Sequence, residues 1–421
     1  MATDYDIIVV GGGIAGGAMA ATMAEAGYKV LLLEKSTAYA DGVRGEWISN
    51  WGVQEVKRLG LYDLLLNSGG HHIRRHIRYD EMCSAETANA AALPLDMFIE
   101  DVPGPLGIGH PVHCQALLDE AGRCGAEVWR GVTVAAITPT PVPGVTFAIG
   151  GQQRTASARL IVGATGRSSL VRRAAGIRLF QDKPHHWFAG LLVRDATGWD
   201  PSVQAIGTEG DMGFLIFPQG KGIIRIYAGC PLSETKRFAG ADAAERFLAA
   251  FHFDCAPETR HIANGAVAGP LMRFHNNDSW TTQPFSPGVV LIGDQAGWND
   301  PILGQGLSVS YRDVRIVSDL LKESSDWSER ALQPYAVERA ERMRRLRFTA
   351  RLQARIDMEF DAPARQRRKR YLDHALRDPG WARHLQAVMA GPETVDPEAF
   401  TNAFAAEILG ESPIEMAVYD D

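Results

Sequence analysis

The first residues whose types and spacing suggest chemistry form a glycine-rich sequence near the N-terminus. Gly11, Gly13 and Gly16 are spaced as G-x-G-x-x-G, and Glu34 closes the next apolar run. Such glycines permit a sharp turn, a close approach of the backbone to a pyrophosphate, and tight packing of a helix on a strand. A helix that begins there offers free N–H groups to phosphates, and a carboxylate such as Glu34 can accept hydrogen bonds from ribose hydroxyls. The pattern predicts a dinucleotide site without distinguishing FAD from NAD.

A βαβ unit must position these groups. Residues 6–10 form a first apolar run, residues 17–26 are typical of a helix of small residues, and residues 29–33 form a second apolar run. This context is what makes the glycine motif informative. The residues expected to contact the cofactor here are Gly11, Gly13, Ile14, Ala15, Gly16, Glu34 and Lys35.

Two later stretches repeat the sequence of an apolar strand followed by a glycine turn. The first leads to Thr165 and Gly166, and the second leads to Gly293 and Asp294. Between them, residues 188–230 alternate in a way that is typical of β-strands, and the chain after about residue 307 is typical of helices. We therefore expect three parts of one sheet to hold one cofactor, with a β-rich lobe inserted between the second and third.

Composition excludes several classes of function. The chain has 421 residues, 46% hydrophobic and 22% charged, as in a globular protein of two or three lobes. A net charge of −7 argues against binding of nucleic acid or of an anionic membrane. We expect no transmembrane helix and no signal peptide, hence a cytoplasmic protein. The five scattered cysteines and the histidines form no ligand pattern, so no metal site is predicted.

The three junctions resemble those of the FAD-dependent monooxygenases with the para-hydroxybenzoate hydroxylase fold, also called group A. In that family a strand ends in Gly-Asp, and a proline and Gly-Gln-Gly follow. The matching residues, with the first residue of the next helix, are Gly293, Asp294, Pro301, Gly304, Gln305, Gly306 and Leu307. A carboxylate at such a strand end can bind the ribityl hydroxyls, and amides at the helix start can face the flavin ring, which becomes negative upon reduction. The resemblance implies FAD as the cofactor.

The fold implied by this resemblance is α/β. It comprises a Rossmann-type (GR2-like) FAD-binding domain of residues 1–180 and 285–330, a β-rich substrate domain of residues 181–284, and a helical C-terminal region of residues 331–421. The resemblance also assigns cofactor contacts to Arg44, Gln115 and Val134.

The middle junction departs from the family. Thr165 stands where relatives carry an acid that contacts both flavin and NAD(P)H, and Gly166 follows it. Threonine can hydrogen-bond but carries no charge. Two sources of electrons therefore stay open, namely NADPH or NADH as a transient reductant and reduced flavin supplied by a partner reductase.

The activity implied by the resemblance is oxygen activation. The enzyme would activate O₂ as a flavin hydroperoxide and hydroxylate or epoxidise an apolar, aromatic or polycyclic small molecule. Aromatic residues of the β-rich lobe suit such a substrate, namely Trp187, Phe188, Phe214, Phe217 and Tyr227. Trp298 and Asp300 lie in the motif loop, and we expect them to act in catalysis, with Asp300 as an acid or base.

Three alternatives remain. A reductase or dehydrogenase of the geranylgeranyl-reductase type would use the same flavin segments on apolar substrates. A flavin-dependent halogenase shares the fold, but the W-x-W-x-I-P signature is absent. A non-catalytic flavin-binding protein is supported only by Thr165.

Overall fold

A computed structural model describes residues 3–43, 45–378 and 380–411. Its strands make two large sheets and two small ones. In chain order the strands are β1 Tyr5–Val10, β2 Val30–Glu34, β3 Trp47–Ile48, β4 His71–His72, β5 Arg75–Asp80, β6 Leu93–Pro94, β7 Leu106–Gly107, β8 Glu127–Arg130, β9 Thr133–Thr138, β10 Gly144–Ile149, β11 Gln152–Gly163, β12 Phe180–Gln181, β13 His186–Arg194, β14 Val203–Glu209, β15 Met212–Gly220, β16 Ile223–Pro231, β17 Ala266–Val267, β18 Met272–Asn276, β19 Ser279–Trp280, β20 Phe285–Ser286 and β21 Val289–Leu291.

Helices cover the first sheet and build most of the C-terminal region. They are α1 Ile14–Glu25, α2 Asn50–Arg58, α3 Tyr62–Asn67, α4 Ala85–Ala90, α5 His110–Arg123, α6 Leu170–Ala174, α7 Ala243–Ala249, α8 Arg260–Ala263, α9 Gly306–Glu323, α10 Glu329–Asp357, α11 Ala362–Arg377, α12 Gln386–Met389 and α13 Asn402–Leu409. The predicted α/β class with a helical C-terminal region is confirmed. Within the described ranges, no helix is long and apolar enough to cross a bilayer.

The first sheet brings the three glycine junctions together. Its order is β20-β21-β11-β1-β2-β8, with β9 and β10 joined to it at β11. Strands β21, β11, β1, β2 and β8 are parallel, and Val10 lies beside Gly163, which lies beside Leu291. The carboxyl ends of β1, β11 and β21 therefore meet at one edge. The central strands are buried on both faces, which explains their continuous apolar runs.

The second sheet forms the β-rich lobe in the order β17-β13-β16-β15-β14-β5-β6, with β18 paired to β13. Strands β5 and β6 lie outside the predicted bounds of this lobe, residues 181–284, and inside the predicted FAD domain. The second sheet therefore includes strands from outside residues 181–284, and the predicted domain bounds stay a prediction. Strand β5 pairs in parallel with β14, and a pairing between segments so distant in sequence leaves no signal in the local pattern.

The C-terminal helices are tied to this sheet by ion pairs. Arg368 of α11 donates its Nε to Asp80 of β5 at 2.8 Å, and both side chains are buried. The neighbouring cations of α11 are also paired with carboxylates or carbonyl oxygens, for example Lys369 with Asp373 at 2.8 Å. The basic sequence of α11 is thus a set of structural ion pairs.

We predict that Arg368→Met destabilises the fold by about 3–5 kcal/mol, because it leaves the Asp80 carboxylate buried without its cation. Lys369→Met is the matched control, since its pair with Asp373 is exposed and should be worth at most about 1 kcal/mol. Urea unfolding measures both. Equal losses in the two variants would contradict this account.

Candidate active site

The glycine turn after β1 has the geometry that a pyrophosphate requires. Gly11 has φ of +104°, where a side chain would be strained. A Cβ atom on Gly16 would lie 1.8 Å from the carbonyl oxygen of Gly11, whereas one on Gly13 would meet no atom within 4 Å. Gly16 therefore permits the turn itself. Gly13 leaves open space at the start of α1, where Ile14 is buried and Ala15 half-buried.

Glu34 lies beside this turn, as predicted. Its Oε2 accepts a hydrogen bond from the Gly12 amide at 2.6 Å, and its Oε1 accepts one from the Ser36 amide at 2.7 Å. These bonds fix the carboxylate, and each oxygen keeps a lone pair for a ribose hydroxyl. The Tyr39 hydroxyl donates to the Gly12 carbonyl at 2.6 Å, so Tyr39 also lies beside the glycine turn. Lys35 is exposed.

A cavity of about 530 Å³ opens next to Tyr39 and is also lined by Gln115 and Arg130. The Gln115 amide is already used, because it accepts from Arg130 at 2.8 Å and donates to Asp119 at 2.7 Å. Val134 lies on β9, half-buried, and does not line this cavity. Arg44 is outside the described residues. The contacts predicted for Gln115, Val134 and Arg44 stay predictions.

The loop after β21 is fixed by a buried ion pair. Asp313 of α9 accepts from the Gly293 amide at 2.8 Å and from Arg339 of α10 at 3.0 Å. Arg339 also donates to the carbonyl oxygens of Gly293, Ala296 and Gly297. One arginine thereby binds three carbonyls of the turn. The turn, rather than a flexible loop, holds Asp294 at the strand end.

Asp294 and the middle junction face each other. The Arg167 guanidinium lies 3.5 Å from the Asp294 carboxylate. The Thr165 amide and hydroxyl both donate to Oε1 of Gln295, at 2.7 and 2.8 Å, while Nε2 of Gln295 is buried without a hydrogen-bond partner. Gly166 has φ of +63° and nothing packed against its Cβ position. The structure thus joins the second and third junctions through Gln295, which the sequence analysis did not identify.

The Gly-Gln-Gly motif begins α9, and only its backbone remains available to a ligand. The Gln305 amide accepts from Trp51 at 2.8 Å and donates to the Leu303 carbonyl at 2.8 Å, so its side chain faces the protein. Gly304 has φ of +66° and packs against the ring of Trp47.

The other predicted residues of this segment frame the helix start. Pro301 opens the short turn Pro301–Leu303, Gly306 is the first residue of α9, and Leu307 is buried against Gly45.

Asp300 is buried beside a second carboxylate that the sequence analysis missed. Asp278 Oδ1 accepts from the Asp300 amide and from Asn299 Nδ2, both at 2.8 Å, while Asp300 Oδ1 accepts from the Ile302 amide at 3.0 Å. His186 Nε2 lies 3.6 Å from Asp300. Burial raises the pKa of both carboxyls well above the ordinary 3.8, and the charge of Asp300 raises that of Asp278 further. The pair therefore retains a proton more readily than an exposed pair would.

Trp298 also lies in this region. The Arg167 guanidinium lies 4.7 Å from the centre of its ring, and its indole Nε1 is buried without a hydrogen-bond partner. Arg167 thus contacts both Asp294 and Trp298, and its charge acts on Asp300 as well. No motif indicated Asp278, since it lies between β18 and β19 and reaches Asp300 only in the folded chain.

The chain matches a known protein family over most of its length. A family model described as "FAD binding domain" matches residues 4–349. The chain belongs to this family of FAD-binding proteins. FAD is its cofactor, and the chain is an FAD-dependent oxidoreductase, as the resemblance to group A monooxygenases implied.

Curated relatives of this FAD-binding protein include hydroxylating, epoxidising and reducing enzymes by name. It is 24% identical to squalene epoxidase 3 of Arabidopsis thaliana, over 77% of this chain and 61% of that protein. It is 26% identical to 3-demethoxyubiquinol 3-hydroxylase of Escherichia coli (strain K12), over 84% of this chain and 89% of that one. It is also 26% identical to digeranylgeranylglycerophospholipid reductase 1 of Methanococcoides burtonii, over 80% and 79%. The chain thus spans less than two thirds of the squalene epoxidase.

Two solved structures share the fold. The p-nitrophenol 4-monooxygenase PnpA from Pseudomonas putida has a TM-score of 0.77 at 17% identity, covering 98% of this chain and 100% of that one. CmlS, a flavin-dependent halogenase, has a TM-score of 0.73 at 15% identity, covering 89% and 71%.

The residues present fit FAD. The open space at Gly13 suits a pyrophosphate at the start of α1, and Glu34 is held where it can accept from the adenosine ribose. Asp294 is partly exposed at a strand end, where it suits the ribityl hydroxyls. Among the residues that the structure describes, no group of three or more histidine, cysteine or acidic residues could hold a metal ion.

We predict opposite defects for two alanine substitutions in the glycine turn. Gly16→Ala should prevent stable folding, because its methyl group would overlap the Gly11 carbonyl. Gly13→Ala should fold with a near-normal melting temperature but bind FAD at least about tenfold more weakly, a loss of about 1.4 kcal/mol, because its methyl group would occupy ligand space. Thermal melting of the apoprotein and FAD titration measure these effects. Normal FAD affinity in Gly13→Ala would contradict the placement of the phosphates.

We also predict that Asp300→Asn stabilises the fold at neutral pH. The asparagine oxygen can keep the hydrogen bond from the Ile302 amide, while the buried charge is removed. The folded-state pKa of Asp300 is raised, so the wild type loses stability as pH rises above about 4. The gain should be near zero below pH 4 and on the order of 1–2 kcal/mol at pH 7. Urea unfolding across pH measures it, and a pH-independent difference would contradict the model.

Proposed function

We propose that the chain is an FAD-dependent monooxygenase that hydroxylates or epoxidises an apolar, aromatic or polycyclic small molecule. The observation that supports this most is an apolar cluster, which we call the substrate wall, between the motif loop and the β-rich sheet. Its buried members are Trp47, Ile73, Leu95, Phe188, Leu215, Ile302, Leu303, Ala350, Ala354, Met358, Val388 and Met389. Ile302 and Leu303 belong to the turn that Asp300 caps. An apolar molecule bound there would lie next to the cofactor loop.

The aromatic residues of the β-rich lobe divide between its two faces. Phe188, Phe217 and Tyr227 pack on the substrate wall. Trp187 and Phe214 belong to the core on the opposite face. Adjacent residues such as Trp187 and Phe188 separate because successive side chains of a strand point to opposite faces. Only the first set supports the proposal that this sheet contacts an aromatic substrate.

The proposed reaction needs a proton source near the substrate wall. One oxygen atom of O₂ enters the substrate, and the other leaves as water after uptake of two electrons and two protons. Bound FAD supplies the electron transfer to O₂. We assign proton storage to the Asp300 carboxyl, whose raised pKa lets it donate near neutral pH. Asp278 accepts a hydrogen bond from the Asp300 backbone amide, and burial together with the charge of Asp300 raises the pKa of Asp278.

We infer the electron source from the middle junction. Thr165, an uncharged residue, is bound to Gln295 through both its amide and its hydroxyl. This arrangement supports reduced flavin from a partner reductase. Reduction by NADPH or NADH is the competing proposal. The Arg167 guanidinium is a cation that could bind a phosphate group of NADPH or NADH.

The decisive experiment supplies ¹⁸O₂ to the FAD-loaded protein with p-nitrophenol, squalene or 2-naphthol as probes. A photoreduced sample removes the dependence on an electron donor. We expect O₂ uptake matched by a product that contains one ¹⁸O atom. Anaerobic bleaching by NADPH, by NADH and by an added flavin reductase then separates the electron sources. Hydrogenation of a probe in the absence of O₂ would contradict the monooxygenase proposal and support a reductase instead.

A reductase is the second candidate, because digeranylgeranylglycerophospholipid reductase 1 is among the relatives. Asp300→Asn distinguishes the two functions in part. A monooxygenase should lose turnover at pH 7 by about 10²-fold or more and show a changed pH profile, as expected for loss of a proton donor. The matched variant Asp96→Asn, at an exposed position, should have no effect. Unchanged turnover and pH profile in Asp300→Asn would reject its role.

A further inference from the structure

A group of buried polar atoms without partners borders the substrate wall. Both ring nitrogens of His384, the Oε1 of Gln353 and the Nε of Arg78 are buried and make no hydrogen bond. His384 is fully buried, and Gln353 is 4% exposed. Leaving such atoms unpaired costs stability. Sites of this kind are usually completed by a ligand or by water.

These residues come from three separate elements and still lie together. Arg78 of β5 forms an ion pair with Asp357 of α10, and Gln353 donates to the same carboxylate. The charge of Arg78 acts on His384, which precedes α12. We call these four residues the polar end.

The polar end adjoins the substrate wall directly. Ala350 and Ala354 of α10 and Met358, which follows the last residue of α10, lie near Gln353 and Asp357 in sequence and belong to the wall, as do Val388 and Met389 just after His384.

Hydrogen bonds also connect Trp47 of the substrate wall to His76 through Gln204. The Trp47 indole donates to Gln204 at 2.7 Å, and the Gln204 amide lies 3.2 Å from Nδ1 of His76. The charges of Arg78 and Asp357 both act on His76. The polar end is therefore continuous with the apolar site.

The charge balance of the polar end selects a neutral group. Arg78 and Asp357 neutralise each other. Burial lowers the pKa of His384 to about 3 and that of His76 to about 4, so both are uncharged at neutral pH. A neutral imidazole offers one donor and one acceptor, the arginine Nε–H is a donor, and the Gln353 oxygen is an acceptor.

We propose that the polar end recognises a neutral group of the substrate that both donates and accepts hydrogen bonds, such as a hydroxyl or a carboxamide. This inference rests on the proposed function, since it assigns the substrate of the same site. The substrate is then an apolar molecule that carries one such group. An anionic substituent is disfavoured, because its charge would be desolvated while Arg78 is already paired with Asp357.

The test measures binding of naphthalene, 2-naphthol and 2-naphthoate to the FAD-loaded protein by calorimetry, without O₂ or an electron donor. We expect 2-naphthol to bind at least about tenfold more tightly than the other two. His384→Phe and Gln353→Leu should reduce this preference to less than about twofold while leaving naphthalene affinity unchanged. His384→Gln, which keeps a donor and an acceptor, should retain part of the preference. His252→Phe, an exposed histidine, is the matched control.

Further outcomes test the recognition of a neutral group by the polar end. Melting temperature of the apoprotein should not fall in His384→Phe, because the variant removes buried polar atoms that have no partner. Equal affinities for naphthalene and 2-naphthol in the wild type, or an unchanged preference in both variants, would overturn the inference and leave water as the partner of the polar end. Since binding is measured without turnover, a retained preference without ¹⁸O incorporation would reject only the monooxygenase proposal.

Discussion

The buried pair of Asp313 and Arg339 is the interaction on which the rest of the site depends. The last strand of the parallel sheet ends in a turn whose amide and carbonyl groups have no partners within the sheet. Asp313 binds the amide of Gly293, and Arg339 binds the carbonyls of three turn residues. Arg342 donates to the other oxygen of Asp313 at 2.7 Å, so the carboxylate is fully paired. Two helices and a strand end are thereby locked in one arrangement, which places Asp294 and the start of α9.

Helix α10 carries this constraint to the substrate wall. Its first half supplies Arg339 and Arg342 to the cofactor loop, and its second half supplies Ala350 and Ala354 to the wall. A continuous helix is stiff over this length, so the spacing between the cofactor and the far end of the apolar site is set by one element. Helix α10 thus has a reason to be long that its sequence alone does not reveal. Helix α10 of the C-terminal region thus packs against both the cofactor loop and the substrate wall.

The sequence signals for the cofactor half of the site are local. The turn at Gly11 and Gly16 and the Gly-Asp turn are each specified within a few residues of a strand end. The substrate half could not be predicted in the same way. Strand β5 pairs with β14 from a distant part of the chain, Asp278 meets Asp300 only through the fold, and His384 lies in a helical segment without a motif. Contacts between residues that are distant in sequence produce no motif of fixed spacing that could be recognised in the sequence.

The buried carboxylates of this protein differ in how completely they are hydrogen-bonded and paired with cations. The carboxylate of Asp313 has a donor on each oxygen and two arginines beside it. Asp278 and Asp300 instead face each other with an uncharged histidine nearby, and the polar end leaves imidazole and amide atoms unpaired. Unpaired or repelled polar groups cost stability wherever they are buried. Such groups also occur in other parts of the chain that the structure describes. Those next to the substrate wall are the ones to which we assign chemistry and recognition, since a purely structural core could carry apolar side chains there.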